Sequence, residues 1–308
     1  MLILLALACT ETPQDSAEEV LDLRQEWPVP EGFDLSFATP DFVVPALSER
    51  QMCTVQTYNG PTIGVSAAKF LQNADFGHHV LMMVSSEDED DTPDGTLWDC
   101  TQTEDLRMED LQPLITAQPQ PDQPFDLALP DGMAIKLREG SRILLQSHYV
   151  NTSSDNIWVN DQINLVTEAE DEVVTWAAPW AHTDTSLEIP PGEHSLEVTC
   201  TFEQETWLLN IFGHMHEWGT SFSIDHTHLD GSTERIYSIN EWDVIFRDAP
   251  PQNAYIPEGY HVLAGESFTS TCNWFNDTDE VLDFPHEMCA SSGIAFPTVV
   301  PIICDTAP

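Results

Sequence analysis

Basic residues are scarce in this chain. Lys and Arg number 9 against 53 Asp and Glu, a formal net charge of -44. A surface so acidic repels phosphate backbones and anionic membrane faces, which excludes nucleic acid as a partner. Long apolar runs are also missing: the opening MLILLALAC is almost wholly apolar but too short to span a bilayer. No long amphipathic helix, internal repeat, P-loop or dinucleotide fingerprint is present. Nor is there a Gly-x-Ser-x-Gly nucleophile signature. These absences set aside nucleotide-dependent enzymes and serine hydrolases of the elbow type.

What is present points outward from the cell. Residues 1–9 read as the end of a secretion signal, and Ala6-Leu7-Ala8-Cys9 resembles the cleavage box of bacterial lipoproteins, in which the cysteine carries the lipid. On this reading the protein is exported to the bacterial cell envelope and meets the membrane only through a lipid on Cys9. Residues 10–32, acidic and polar, read as a flexible tether. Setting Cys9 aside leaves six cysteines, Cys53, Cys100, Cys200, Cys272, Cys289 and Cys304. An even number in an exported chain predicts three disulfides, with fifteen pairings open.

From Phe33 onward the pattern is all-β. Short apolar stretches such as Phe42-Val43-Val44, Ile143-Leu144-Leu145 and Trp207-Leu208-Leu209 alternate with Pro, Gly, Asp and Asn clusters. Residues 65–72 and 104–115 are read as two short helices. Asp230-Gly231 predicts a hairpin turn. Regular short strands of this kind predict β-sandwiches. The acidic segment Thr167 to Glu172 marks a boundary between a first domain at 33–168 and a second at 169–308.

Four sites in the sequence offer metal ligands. In Gly213-His214-Met215-His216 the two histidines alternate, so in a strand they face one side and can share a metal. In Gly77-His78-His79 the histidines are adjacent, and both can reach one metal only at a bulge or a strand end, where Gly77 helps. His148 sits in the apolar strand Leu144 to Val150, with Gln146 on its face as a supporting group. Met288 lies beside Cys289. A second His-x-His, at His226 and His228, runs into the polar turn at Asp230 and is read as an exposed hairpin. His286 is a competing ligand near Met288, whereas His182, His194 and His261 belong to no recognisable constellation.

Taken in order, the His-His pair, the Leu-Gln-x-His-Tyr strand, the His-x-His strand and Glu287-Met288-Cys289 resemble the copper type II, ascorbate-dependent monooxygenases. That family includes peptidylglycine α-hydroxylating and dopamine β-monooxygenases, and the match runs from about Cys53 to Cys304. The resemblance implies two tandem jelly-roll-type β-sandwich domains, each with a copper site, facing across a cleft. It implies that His78, His79 and His148 hold an electron-storing copper, and that His214, His216 and Met288 hold the oxygen-binding, catalytic copper. It implies disulfides Cys53–Cys100, Cys200–Cys304 and Cys272–Cys289.

The donor chemistry agrees with copper. Two imidazoles with a soft thioether favour Cu(I), while structural zinc prefers thiolates. Two one-electron ions would supply the electrons that C–H hydroxylation needs, and the resemblance implies ascorbate or a similar reductant as co-substrate, alongside O2 and a small organic substrate. The chain also departs from the amidating branch. Phe212 stands where that branch has an Arg gripping a peptide carboxylate, and Ser292 stands where it has a Tyr. A C-terminal-glycine peptide is therefore not the expected substrate, and Phe212 and Trp218 would line an apolar, aromatic-friendly pocket. The competing expectation is a non-catalytic envelope lipoprotein that binds or sequesters copper on the same scaffold.

Overall fold

The computed structural model describes residues 20–85, 92–100, 111–117, 123–247, 249–284 and 286–305. Among them the fold is all-β, with a single 3-10 turn at Val244–Arg247 and no α-helix. Cys9, the signal-like segment and the first half of the expected tether lie outside the described residues.

Three sheets build the body. A five-stranded sheet runs in the order Leu97–Asp99, Ser48–Thr57, Arg142–Asn151, Gly77–Ser85 and Leu111–Ala117. A four-stranded sheet runs Gly192–Thr201, Ser267–Asn276, Gly219–Thr227 and Thr233–Ile239. An eleven-stranded sheet faces both of them. Its first part carries Ile63–Leu71, Met133–Leu137 and Gln162–Ala169, and its second part carries Thr175–Thr183, Ala290–Phe296 and Thr206–His214.

Two apolar cores lie between these layers, as in β-sandwiches. The first packs Val80, Met82, Ile143 and Leu145 of the five-stranded sheet against Val65, Phe70, Ile135 and Leu165 of the long one. The second packs Phe222, Ile224, Phe268 and Trp274 of the four-stranded sheet against Trp180, Leu208 and Ile211. Alternation dictates this. In Ser267–Asn276 every second residue, from Phe268 to Asn276, is buried. Burying each such aromatic side chain is worth about 1.5–3 kcal/mol. The cores adjoin, since Ala177 and Leu209 from the later strands pack into the first core.

The boundary expected between 168 and 169 falls at the end of the strand Gln162–Ala169, and the long sheet continues past it. There Met133–Leu137 pairs in parallel with Thr175–Thr183. The strands on either side are thus joined by backbone hydrogen bonds as well as by the chain.

Three disulfides close the described residues: Cys53–Cys100, Cys200–Cys304 and Cys272–Cys289, with Cα–Cα separations of 5.8, 5.7 and 5.8 Å. These are the pairings the resemblance implies. Bridges of this number belong in an oxidising, exported environment. No helix among the described residues is long and apolar enough to cross a membrane.

Three local expectations are corrected. Residues 65–72, rich in Ala, Lys and Leu, are not a helix. They belong to the strand Ile63–Leu71, which is paired on both sides by Gln162–Ala169 and Met133–Leu137. Tertiary pairing overrides weak helix propensity there. The second expected helix, 104–115, enters the described region only at Leu111, where the chain is the strand Leu111–Ala117. The tether is also not loose from Val20 onward. Val20–Asp22 pairs in parallel with Asn156–Val159, Arg24 lies 3.2 Å over the Trp158 ring, and the Trp27 indole N–H donates to the Asn160 carbonyl.

Candidate metal centres

The first histidine cluster is made by a bulge. His148 pairs with His79 across the strands Arg142–Asn151 and Gly77–Ser85, but the next residue, Tyr149, pairs with Gly77. His78 is the extra residue, so adjacent histidines turn to one side. His78 Nδ1 lies 3.2 Å from His148 Nδ1, and His79 Nδ1 lies 3.3 Å from it. Nitrogens sharing one tetrahedral ion at about 2.0–2.1 Å are separated by about 3.3 Å. The three rings therefore already stand as a ligand set.

The supports of this cluster are Gln72 and Glu49, neither of which the sequence singled out. Gln72, buried beneath the rings, donates to the His148 carbonyl at 3.2 Å and the His79 carbonyl at 3.4 Å. Gly77 permits this approach, since a Cβ there would sit 2.2 Å from Gln72 Cγ and 2.5 Å from the Asn73 carbonyl oxygen. Glu49 Oε1 accepts from His148 Nε2 at 2.7 Å, and that bond holds the Glu49 carboxyl below the usual carboxylate range. With its proton on Nε2, the buried His148 aims the Nδ1 lone pair at the cluster centre. Gln146, expected to serve as the supporting group, lies on the same strand two residues before His148. Its amide donates to Gln51 Oε1 at 2.9 Å and lies beside Cys100 Sγ.

The second cluster forms at a strand end rather than within a strand. Thr206–His214 stops at His214, which pairs with Ala290, and His216 lies in the turn beyond. The rings still meet, with His214 Nε2 and His216 Nε2 3.0 Å apart. His216 Nδ1 donates to the His286 carbonyl at 3.1 Å, which leaves the Nε2 lone pair facing His214. The His286 ring itself points away, exposed and 3.2 Å from Asp283.

Glu287 clamps this turn to the methionine segment. Its fully buried carboxylate accepts from the backbone N–H groups of His216 at 2.5 Å, Met288 at 2.9 Å and Trp218 at 3.1 Å. Burial pushes the Glu287 carboxyl up, opposed by the His216 ring and these three donors. Met288 is thereby fixed beside the His214–His216 turn, and the Cys272–Cys289 bridge anchors it from the other side. Phe212 and Trp218 are both partly buried against the second core. The Trp218 indole N–H donates to Asp277 at 3.0 Å. The Ser292 hydroxyl is occupied by the Trp180 carbonyl at 2.9 Å.

The two clusters are linked through Arg247. Its guanidinium donates to Glu217, next to His216, and lies 3.9 Å from Glu49, the partner of His148. This link was not legible in the sequence, because the five residues span positions 49 to 247.

One other histidine reading changes. The His226–His228 strand, expected as an exposed hairpin, buries His226 completely, and both rings contact the buried Glu266. The Asp230-Gly231 turn itself is present, with Gly231 at φ +82°. His182 is buried among Ser270 and Ser291, and desolvation lowers its pKa to about 4.

No protein-family model matches this chain, and no curated protein does. Solved structures that align with it include PNGase F, a glycosylasparaginase from Flavobacterium meningosepticum, at 10% identity over 88% of this chain and 98% of that one, with a TM-score of 0.35. A recombinant PNGase F aligns at 9% identity over 88% and 98%, with a TM-score of 0.36. The Sputnik virophage aligns at 6% over 97% of this chain and 93% of that chain, with a TM-score of 0.25. Likeness at this level carries no argument about the site.

Proposed function

We propose that this chain is a copper-dependent monooxygenase. It hydroxylates a C–H bond of a small organic substrate with O2 and a one-electron reductant such as ascorbate. It is built as two tandem jelly-roll-type sandwich domains, each holding one copper, and it is exported and lipid-anchored through Cys9. The observation that carries the reading is the pairing of a three-imidazole cluster with a separate two-imidazole cluster clamped to Met288.

The donor sets fit the metal. His78, His79 and His148 would hold one ion through nitrogens already at ligand spacing. His214, His216 and Met288 would hold the other, where a thioether selects the soft Cu(I) state. When bound, the two ions supply the single-electron chemistry that C–H hydroxylation by O2 needs.

The chain's own residues set the geometry. Glu49 fixes the tautomer of His148 and the His286 carbonyl fixes that of His216. Glu287 ties the His216 turn to the Met288 segment. Phe212 and Trp218 offer apolar surface next to it, suited to a small aromatic or aliphatic group, and the acidic surface draws cationic substrates in.

A second reading, copper binding without turnover, is favoured by one observation. The Ser292 hydroxyl is engaged with Trp180 and Phe212 is apolar, so neither position grips a substrate carboxylate. Oxygen uptake separates the two readings. Copper-loaded protein, freed of excess metal, is given ascorbate and a panel of phenethylamines and small aromatics. Substrate-dependent uptake that disappears in His214→Ala supports the monooxygenase. Full copper loading with no uptake on any substrate leaves the binding protein.

A further inference from the structure

A third metal site, separate from both copper clusters, is built where the strand Gly219–Thr227 meets the start of the strand Ser267–Asn276. We infer that His226, His228 and Glu266 bind a zinc-class divalent ion.

The three groups come together for simple reasons. His226 and His228 are two residues apart at a strand end, so their rings lie on one face, with centroids 4.0 Å apart. Strand pairing sets His226 against Phe268 and Thr227 against Ser267, which brings Glu266 up to both rings. Glu266 Oε2 is 3.1 Å from His226 Nε2, and Glu266 Oε1 is 3.1 Å from His228 Nδ1. Those separations are close to the spacing of about 3.3 Å that tetrahedral ligation imposes at bond lengths of about 2.0–2.1 Å. Two imidazoles and a carboxylate are a donor set for zinc with a fourth position open. This set lacks the sulfur that marks Met288 as a copper ligand.

The outer nitrogens are the second line of support. A ligating histidine usually has its other ring nitrogen engaged by a second group. His226 Nδ1 lies 2.8 Å from the Tyr260 hydroxyl, and His228 Nε2 faces Glu234 at 3.8 Å. Each ring thus points one nitrogen at Glu266 and the other at a partner able to receive its proton.

The depth is graded as a metal site requires. His226 is fully buried and Glu266 is 5% exposed, so one wall is dry and fixed. The His228 side chain is 33% exposed and gives the ion its entry and its fourth, solvent-facing position. Glu266 at both rings and Glu234 at His228 bring two carboxyl groups to the site, which suits a divalent ion in an already strongly acidic chain.

The test counts zinc on the full chain, stripped with chelator, equilibrated with zinc and desalted. Because zinc can also enter the copper clusters, the background is the triple variant His79→Ala/His148→Ala/His214→Ala. One zinc per chain is expected to remain on that variant and to vanish when His228→Ala is added. Zinc is also expected to raise the thermal midpoint of the triple variant and not of the quadruple one. His228 sits at a partly exposed hairpin end, so its loss leaves the fold intact, which far-UV circular dichroism checks. In the otherwise unaltered chain, His228→Ala is expected to keep its full copper. No zinc on the triple variant, or zinc that persists without His228, overturns the site. The copper count, read separately, tells that failure apart from a failure of the monooxygenase reading.

Discussion

Glu287→Gln tests how the proposed second copper cluster is held. The native carboxylate accepts three backbone N–H groups, two on Oε1 from His216 and Met288 and one on Oε2 from Trp218. Glutamine keeps one acceptor oxygen, which can go on serving His216 and Met288. Its amide nitrogen then faces the Trp218 N–H, donor against donor. A hydrogen bond to a charged group is worth about 1.5–3 kcal/mol, and a buried donor left unpaired adds a penalty of about 1–3 kcal/mol. Part of that penalty is recovered by rearrangement of the turn, so the expected loss is about 2–4 kcal/mol. Urea unfolding under oxidising conditions reads that loss. The same change loosens the link between Met288 and the histidine turn, so copper affinity at the second cluster is expected to fall about 10–100-fold, while the first cluster keeps its metal. Competition with a chromophoric chelator measures both. A variant within about 0.5 kcal/mol of wild type, with both coppers held as tightly as before, would refute the clamp.

The remaining expectations follow the same geometry. Gly77→Ala forces a Cβ onto Gln72 and the Asn73 carbonyl, costs about 1–3 kcal/mol, and is expected to remove copper from the first cluster only, as metal counting would read. Glu49→Gln, on a half-exposed side chain, is expected to leave the melting temperature unchanged and to weaken the first copper about 10–100-fold in chelator competition. His182 is held at about 4 by burial, below its ordinary 6.5, so the unfolded chain takes up a proton that the folded chain refuses. Its contribution is complete above pH 6.5 and is lost as pH falls toward 4, about 3 kcal/mol in all. Asp161 acts in the opposite sense, because burial raises its pKa to about 6 and its contribution is lost as pH rises from 3.8 through 6. Unfolding of wild type and His182→Gln across this range is expected to show the difference between them shrink toward acid, and a constant difference would contradict it.

Much of the site could be read along the chain because the ligands announce themselves in pairs. A His-His after Gly77 demands a bulge or a strand end if both rings share a metal, and the register shift at His148/Tyr149 is such a bulge. The all-β character was also legible, from alternation such as that in Ser267–Asn276. The disulfide pairing was not open to spacing and came only through the resemblance. The supports stayed hidden because they act across long separations. Glu49 lies 99 positions from His148, and Glu287 lies 71 from His216. Each looks like one more acid in a chain crowded with them. The strand at Ile63–Leu71 was misread because its composition suits a helix and only its two neighbours make it a strand. His226 was misread for a related reason. Its own neighbours are polar, and its burial comes from Tyr260, Glu266 and Phe268.

The most direct test of the central claim is copper counting joined to X-ray absorption of the Cu(I) form. Two coppers per chain are expected, with one sulfur scatterer among their ligands, and that scatterer is expected to vanish in Met288→Leu while the three-imidazole cluster keeps its copper. Fewer than one copper per chain, or two coppers with no sulfur in the wild-type spectrum, would contradict the account.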